Sequence, residues 1–529
     1  MKRYEVIVIG AGPAGLSAAI EAAKLGMCVV ILDENARPGG QLFKQIHKFF
    51  GSKEHMARVR GFRIGEMLLK KAEEVGVDVL LNATVMGLFE NKEITAMING
   101  EVVHMRGDSV ILATGASENV ITFDGWTLPG VIGAGAAQTM MNLYGVKPGE
   151  KILMVGSGNV GLVVSYQLKQ AGCDVVGIID GAGRIGGYGV HAAKVARTGV
   201  PFFLSHVVEK AEGEDCVKGV TIVEVDKQWK PIDGTQKHFD VDTICLAVGL
   251  SPMSQLLKLA GCKTENNPGK GGQVPVCDKY GETSIPGIFA AGDVSGIEEA
   301  SSAMITGRIA GLSAAKRAGY LSDEDFEKKY GENMDSLNKL RGGLFSHANR
   351  GRTDIETTDE GYALAKNLLF HGFVDEEELA AFPAAKVHKK GIHPVIECTQ
   401  NIPCNPCQDA CPKGCIKVGS VITNLPVLDE EVPCIGCGMC VASCSGQAIF
   451  LVNEDFEDHA EITIPYEFLP LPEVGDEGIA LGRNGEKVCA ARVVGIRTAK
   501  AMDSTYLLTM SVPKEAVTKA RFFVRQEGC

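Results

Sequence analysis

The N-terminal part of the chain is built from short apolar runs that end in glycine. Residues 4–9 form one such run, long enough for a buried strand and too short for a helix. A glycine turn follows, then a helix of small and apolar residues to about Leu25, then a second run at 29–32 that ends on Asp33-Glu34. Runs at 110–113, 151–155, 175–179 and 288–291 repeat the strand signature, and 298–318 reads as a helix. The pattern changes after 320. Ser322-Asp-Glu-Asp-Phe-Glu and Asp375-Glu-Glu-Glu-Leu read as acid-started surface helices in a stretch without a metal or nucleotide motif. From 461 to 525 apolar and polar residues alternate, which predicts a small β-rich domain. The chain is therefore α/β in class, with strands and helices alternating first and a β-rich end.

The first turn reads Gly10-Ala11-Gly12-Pro13-Ala14-Gly15. Gly10 permits the tight turn, Gly12 lets a pyrophosphate approach the backbone, and Gly15 allows helix and strand to pack closely. The helix N-terminus turns its partial positive charge towards the phosphates. Asp33, eighteen residues after Gly15, is placed to bind a ribose hydroxyl, with Glu34 as the alternative. Strand, turn, helix, strand and acid together make a Rossmann-like dinucleotide-binding unit. Pro38-Gly39-Gly40-Gln41 adds the paired glycines of its flavin-binding version.

An internal repeat extends this architecture. Asp108-Ser-Val-Ile-Leu-Ala-Thr-Gly-Ala116 is echoed by Asp242-Thr-Ile-Cys-Leu-Ala-Val-Gly-Leu250, and the first glycine turn by Gly156-Ser-Gly158-Asn-Val-Gly161. A second unit of the same kind is thus inserted into the first. The expected domains are 1–116 with 281–330, an inserted 117–280, a partly helical linker at 331–397, a cysteine-rich segment at 398–455, and a β-rich domain at 456–529. Asp180, nineteen residues past Gly161, suits the free 2′-hydroxyl of NAD and would repel the 2′-phosphate of NADP. Arg184 is a counter-signal, and a retained fold with an empty nucleotide site remains the alternative.

Nine of the seventeen cysteines fall between 398 and 444. Cys434, Cys437, Cys440 and Cys444 follow the C-x2-C-x2-C-x3-C spacing that wraps a 4Fe–4S cluster in bacterial ferredoxins, where the last cysteine reaches across to a neighbouring cluster. Cys404, Cys407 and Cys411 repeat the spacing, but Asn401 stands at the first ligand position. Cys398, three residues earlier, is the expected substitute, with Cys415 in reserve. One cluster is then assigned to Cys398, Cys404, Cys407 and Cys444, and a second to Cys411, Cys434, Cys437 and Cys440. Zinc needs four ligands where this segment offers nine.

A net charge of -12 without any basic tract argues against a nucleic-acid partner. Arg341, Arg350 and Arg352 are read as solvated surface, with an anionic partner as the alternative. No apolar run is long enough to span a bilayer, and the chain passes at once into a strand, so a cytoplasmic protein without a signal peptide is expected. Most of the scattered cysteines, which include Cys28, Cys173, Cys245 and Cys529, are read as small buried apolar residues of a reducing compartment.

The glycine turn, Ala113-Thr114-Gly115 and Gly292-Asp293 together resemble the pyridine nucleotide-disulfide oxidoreductase-like flavoproteins related to thioredoxin reductase. That resemblance implies that these motifs hold FAD, that Asp293 meets a ribityl hydroxyl, and that Val85 contacts the adenine. The redox-active C-x-x-C of the thioredoxin reductases is missing, because the matching stretch at 133–137 has no cysteine. Dithiol exchange is therefore not expected.

The order of domains, with 33–41 and 398–407, resembles a narrower group. These are the FAD-containing α subunits of bacterial amine and amino-acid dehydrogenase complexes of the sarcosine, proline, hydroxyproline, opine and hydrogen cyanide type. The two ferredoxin-like cysteine runs depart from several of those members. The resemblance implies a hetero-oligomer in which a partner flavoprotein oxidises a C–N bond, with a further partner in a small iron–sulfur protein and NAD as hydride partner. The alternative is a self-sufficient NADH-dependent oxidoreductase that reduces ferredoxin or a small molecule. His47 and Tyr188 lie near the expected loops, but no pair of residues commits to acid–base catalysis.

Overall fold

This computed structural model describes residues 1–342 and 365–526, so Arg350, Arg352 and Cys529 lie outside the described residues. The chain divides into two compact units: Met1–Asn119 with Gly249–Gly342, and Val120–Val248 with the described residues from 365 onwards.

The first unit is laid over a seven-stranded sheet. Strand β1 (Lys2–Ile9) leads through the glycine turn into helix α1 (Pro13–Lys24), and β2 (Val29–Leu32) returns beside β1. Helix α2 (Gly61–Glu74) precedes β3 (Asp78–Leu80), and β4 (Ala83–Leu88), β5 (Glu93–Ile98) and β6 (Glu101–Leu112) form a meander. The strand order is β3-β2-β1-β6-β5-β4, and the strand Ile288–Ala290 also pairs with β6. β1, β2, β3, Ile288–Ala290 and the end of β6 run parallel, with Ile7 opposite both Val30 and Val110. All three residues are fully buried, as strands covered on both faces require.

Small residues on α1 serve a packing purpose. Helix Ala300–Arg317 crosses it so closely that a Cβ on Gly307 would lie 2.1 Å from the Ala14 carbonyl oxygen, and one on Gly311 2.2 Å from that of Ala18. The backbone contact brings Gly292 and Asp293, just ahead of this helix, to the start of α1. A helix over Asp323–Leu340 follows, and the Ser322 hydroxyl accepts the Asp325 N–H at 3.1 Å as its N-cap. The chain returns to this unit at Gly249 and not at 281, because Leu250–Pro252 pairs with Ala116–Glu118.

The second unit holds a five-stranded parallel sheet in the order Phe202–Leu204, Asp174–Asp180, Lys151–Val155, Thr243–Leu246, Val131–Gly133. Helix Asn159–Gln170 follows Lys151–Val155 as α1 follows β1. The same unit contains a seven-stranded antiparallel sheet: His393–Ile396, Ile449–Asn453, Ala460–Tyr466, Tyr506–Val512, Lys487–Arg497, Glu477–Leu481, Phe522–Arg525. It takes strands from before, within and after the cysteine-rich segment, so 456 is not a break in the sheet.

Candidate functional site

The first glycine turn has the sterics its motif requires. Gly10 sits at φ +103°, and a Cβ there would be 2.4 Å from the Ala113 carbonyl oxygen. A Cβ on Gly15 would be 1.9 Å from the Gly10 oxygen. Gly12 is different: a Cβ there meets nothing within 4 Å, so space stands open before the α1 N-terminus. Pro13 is the first residue of α1, and Gly12, its N-cap, offers no side chain to the free N–H groups. An anion is the ligand chemistry such an end favours.

Asp33 is buried at the end of β2, while Glu34 is exposed. The Asp33 carboxylate accepts the Ala11 N–H at 2.6 Å, the Asn35 N–H at 2.8 Å and the Asn35 amide at 2.9 Å. A carboxylate offers about four acceptor positions, so room for one further donor remains. The Gly39 N–H donates to the Ala11 carbonyl at 2.8 Å, which lays the paired-glycine loop across the turn; Gln41 is exposed there. A Cβ on Gly40 would stand 3.0 Å from the Gly12 Cα. The Thr114 hydroxyl donates to the Met253 carbonyl at 3.0 Å, and the Met253 N–H to Gly115 at 3.1 Å. A Cβ on Gly292 would lie 2.8 Å from that of Ala14. Burial lifts the carboxyl of Asp293 to about 6, more than the Glu298 N–H lowers it. Val85 is half-buried on β4, two strands removed from β6.

The second turn repeats these relations. Cβ atoms on Gly156 and Gly161 would lie 2.3 Å from the Ala247 oxygen and 2.0 Å from the Gly156 oxygen, and one on Gly158 meets open space. The Asp180 carboxylate accepts the Ser157 N–H at 2.8 Å, the Ser157 hydroxyl at 2.6 Å and the Ala182 N–H at 2.9 Å. Gly186 and Gly187 follow Asp180 at the spacing at which Gly39 and Gly40 follow Asp33. The Gly187 N–H donates to the Ser157 carbonyl at 2.9 Å, as Gly39 does to Ala11. This second paired-glycine loop is absent from the motifs recognised in the sequence, although its spacing was there to be matched. Tyr188 is buried against His191, and His47 stacks on Phe49 at 5.8 Å.

The cysteine-rich segment contains two short helices packed together, Pro406–Ala410 and Met439–Ser443. The first carries Cys407 and is capped by Cys411; the second carries Cys440 and is capped by Cys444. Cys407 has Cys444 and Cys398 as thiol neighbours, while Cys434 has Cys437, Cys411 and Cys415. Each capping cysteine thus sits with the other half's thiols. Cys415 Sγ is 3.2 Å from Cys411 Sγ, which puts Cys415 away from the Cys398 set. Cys404 immediately precedes the first helix. Backbone N–H groups of Gly436 and Ala448 point at Cys434 and Cys444 Sγ at 3.3 and 3.4 Å. Burial pushes Cys398 up to about 12 and raises Cys407, Cys440 and Cys444 as well. A bound cation would favour the thiolate form of such thiols. Among the described residues, no three His, Cys, Asp or Glu side chains close on a common point as the ligands of one metal ion do.

The Cys398 set packs against the second nucleotide-type domain. Gln400 accepts the Gly189 N–H at 2.6 Å, and Gln447 accepts from the Tyr166 hydroxyl at 2.9 Å and, through its carbonyl, from Arg197 at 3.0 Å. None of these residues carries a motif, and no local spacing could have singled them out. No helix among the described residues is long and apolar enough to cross a membrane.

Residues 4–307 match the family described as pyridine nucleotide-disulphide oxidoreductase. One of the opine oxidase subunits of Rhizobium meliloti is 31% identical over 338 residues, 60% of this chain and 64% of that relative. The chain therefore spans less than two thirds of that relative's length. Hydrogen cyanide synthase subunit HcnB of Pseudomonas protegens is 28% identical over 377 residues, 66% of this chain and 79% of that relative. The crystal structure of L-proline dehydrogenase from P. horikoshii superposes with a TM-score of 0.50 at 22% identity, covering 64% of this chain and 59% of that one, a likeness of fold. The chain belongs to the pyridine nucleotide-disulphide oxidoreductase family, as an FAD-dependent oxidoreductase.

Proposed function

We propose that this chain is the FAD- and iron–sulfur-bearing electron-transfer subunit of a multi-component amine or amino-acid dehydrogenase of opine, proline or sarcosine type. A separate partner flavoprotein oxidises the C–N bond, and a small iron–sulfur protein is a further partner. The first turn (Gly10, Gly12, Pro13, Ala14, Gly15) takes the FAD pyrophosphate at the open N-terminus of α1. Asp33 offers its remaining acceptor position to a ribose hydroxyl, Gly40 and Gln41 line the loop, and Val85 borders the adenine. Ala113, Thr114, Gly115, Gly292 and Asp293 meet the ribityl side. Bound FAD supplies exchange between two-electron and one-electron chemistry. Gly156, Gly158, Gly161 and Asp180 form the matching cradle for NAD in the second unit. Cys398, Cys404, Cys407 and Cys444 hold one 4Fe–4S cluster, and Cys411, Cys434, Cys437 and Cys440 the other.

One observation carries this reading. A set of buried and half-buried thiols is packed, within a single unit, against a dinucleotide-type domain through Gln400, Gln447 and Gly446. Electron transfer between groups is a function that explains why the two are folded together. Expression of this chain alone, with flavin and iron assayed anaerobically, tests it. Bound FAD with about eight irons and no amine dehydrogenation until the partner flavoprotein is supplied is the expected result. Substantial amine dehydrogenation by the isolated chain would defeat it.

The open space over Gly158 favours a second reading, a self-sufficient NADH-dependent oxidoreductase reducing ferredoxin or a small molecule. Anaerobic mixing with NADH separates the two: absence of flavin bleaching excludes the second.

A further inference from the structure

Glu397 immediately precedes Cys398 and is largely buried beside Arg483 and the fully buried Arg521. It accepts from Arg483 at 3.0 and 2.6 Å and from Arg521 at 2.5 Å. A third guanidinium, that of Arg197, comes in from the second nucleotide-type domain. It is 6% exposed and lies 5.1 Å over the Phe450 ring, whose centroid is also 5.2 Å from the Arg521 guanidinium. Arg197 makes no ion pair with a carboxylate among the described residues. Glu376 reaches Arg483 only from the solvent side, at 3.9 Å and half exposed.

Three guanidinium groups and one carboxylate leave two positive charges in the interior. Backbone carbonyls of Gln447, Thr518, Val517 and Ala520 accept from these guanidiniums, but a buried net positive charge still favours an anion nearby. The groups in place are the thiols of Cys398, next to Glu397 in the chain, and of Cys444, three residues before the Gln447 whose carbonyl accepts from Arg197 at 3.0 Å. Neutral thiols cannot serve, whereas four thiolates on an iron–sulfur cluster carry net negative charge, and one-electron reduction adds one more without a proton. The Cys434 set has a cation beside it that faces solvent: Ile435 is 54% exposed, and Arg497, itself exposed, donates to the Gly436 carbonyl at 3.0 Å.

We propose that Arg197, Glu397, Arg483 and Arg521 make the Cys398–Cys404–Cys407–Cys444 cluster the higher-potential of the two, so that an electron shared between them rests there. Cations beside a group that becomes more negative on reduction favour the reduced form. The inference rests on the iron–sulfur reading of the cysteine-rich segment.

The test is a redox titration of the full, anaerobically reconstituted chain with dithionite and mediators, followed by low-temperature electron paramagnetic resonance. The signal lost in Cys398→Ser identifies the cluster in question. Two steps are expected, with this signal appearing first. Arg197→Met should move it to lower potential and leave the other step in place, and Arg197→Lys should restore it. Glu397→Gln, which removes a negative charge, should move it upward, and it carries the test if Arg197→Met does not fold. Unchanged steps in the variants that fold, or this signal appearing second in the wild type, would overturn the inference. A preparation with iron for only one cluster or none would instead remove the reading beneath it.

Discussion

The backbone N–H of Ala11 donates to the Asp33 carboxylate at 2.6 Å, so the acid expected to face a ribose also braces the glycine turn. Ser157 and Asp180 repeat the relation at 2.8 Å. Asp33→Ala leaves a buried N–H without its partner, which costs about 1–3 kcal/mol. The variant should lose both thermal stability and flavin, while Asp180→Ala should lose stability but keep a full complement of flavin. Thermal unfolding and the flavin-to-protein absorbance ratio check both.

Gly12 and Gly15 separate binding from folding. Gly12 has φ -75°, and its Cβ would meet open space, so Gly12→Ala should fold normally yet retain little FAD. Gly15→Ala drives a Cβ to 1.9 Å from the Gly10 oxygen, a clash that costs about 1–3 kcal/mol or more. Circular dichroism melts of the two apoproteins, read beside flavin content, should therefore disagree for Gly12→Ala and agree for Gly15→Ala.

Asp293 gives a pH signature. Its folded carboxyl is lifted to about 6 by burial, above the roughly 3.9 of an unfolded aspartate. The folded apoprotein then holds a proton that the unfolded chain has released, so stability falls as pH rises through about 4 to 6. Asp293→Asn removes that loss. Its melting temperature should pull ahead of the wild type across this window and stay ahead above it. With FAD added the order should reverse, because a ribityl hydroxyl donating to the carboxylate favours the charged form.

Cys398 and Cys415 compete for one role in the sequence, and their surroundings separate them. Cys398 neighbours Cys407 and Cys444, while Cys415 lies 3.2 Å from Cys411. Cys398→Ser should lower iron from about eight to about four per chain, and Cys415→Ser should leave it near eight. A colorimetric iron assay on anaerobic protein decides, and the opposite pattern would make Cys415 the ligand.

The parts of the site that were legible are those where the constraint is local. A carbonyl five residues away forbids a Cβ at Gly15, so the chain must write glycine there and again at Gly161. Arg197, Glu397, Arg483 and Arg521 come from four distant places, and each alone reads as surface charge; only the tertiary fold makes them one buried group. His393–Ile396 and Ile449–Asn453 are buried on both faces and show no alternation, so their membership of the C-terminal sheet left no trace in the hydrophobic pattern. The alternation beyond 461, with one face outward, did mark its strands.

Ile396 stands opposite Ile449 on neighbouring antiparallel strands, and just beyond them the Glu397 N–H bonds to the Ala448 carbonyl at 2.8 Å. The stretch between departs from the ladder and rejoins it through a single neck. Lengthening a detour of this kind adds little to the entropy of closing it, and a tight hairpin would serve the same two strands. The thiol-bearing stretch is in that sense a cassette plugged into a socket, and it grips the socket by a shared core in which Cys407, Cys440 and Val441 pack with Ile396, Ile449 and Leu507.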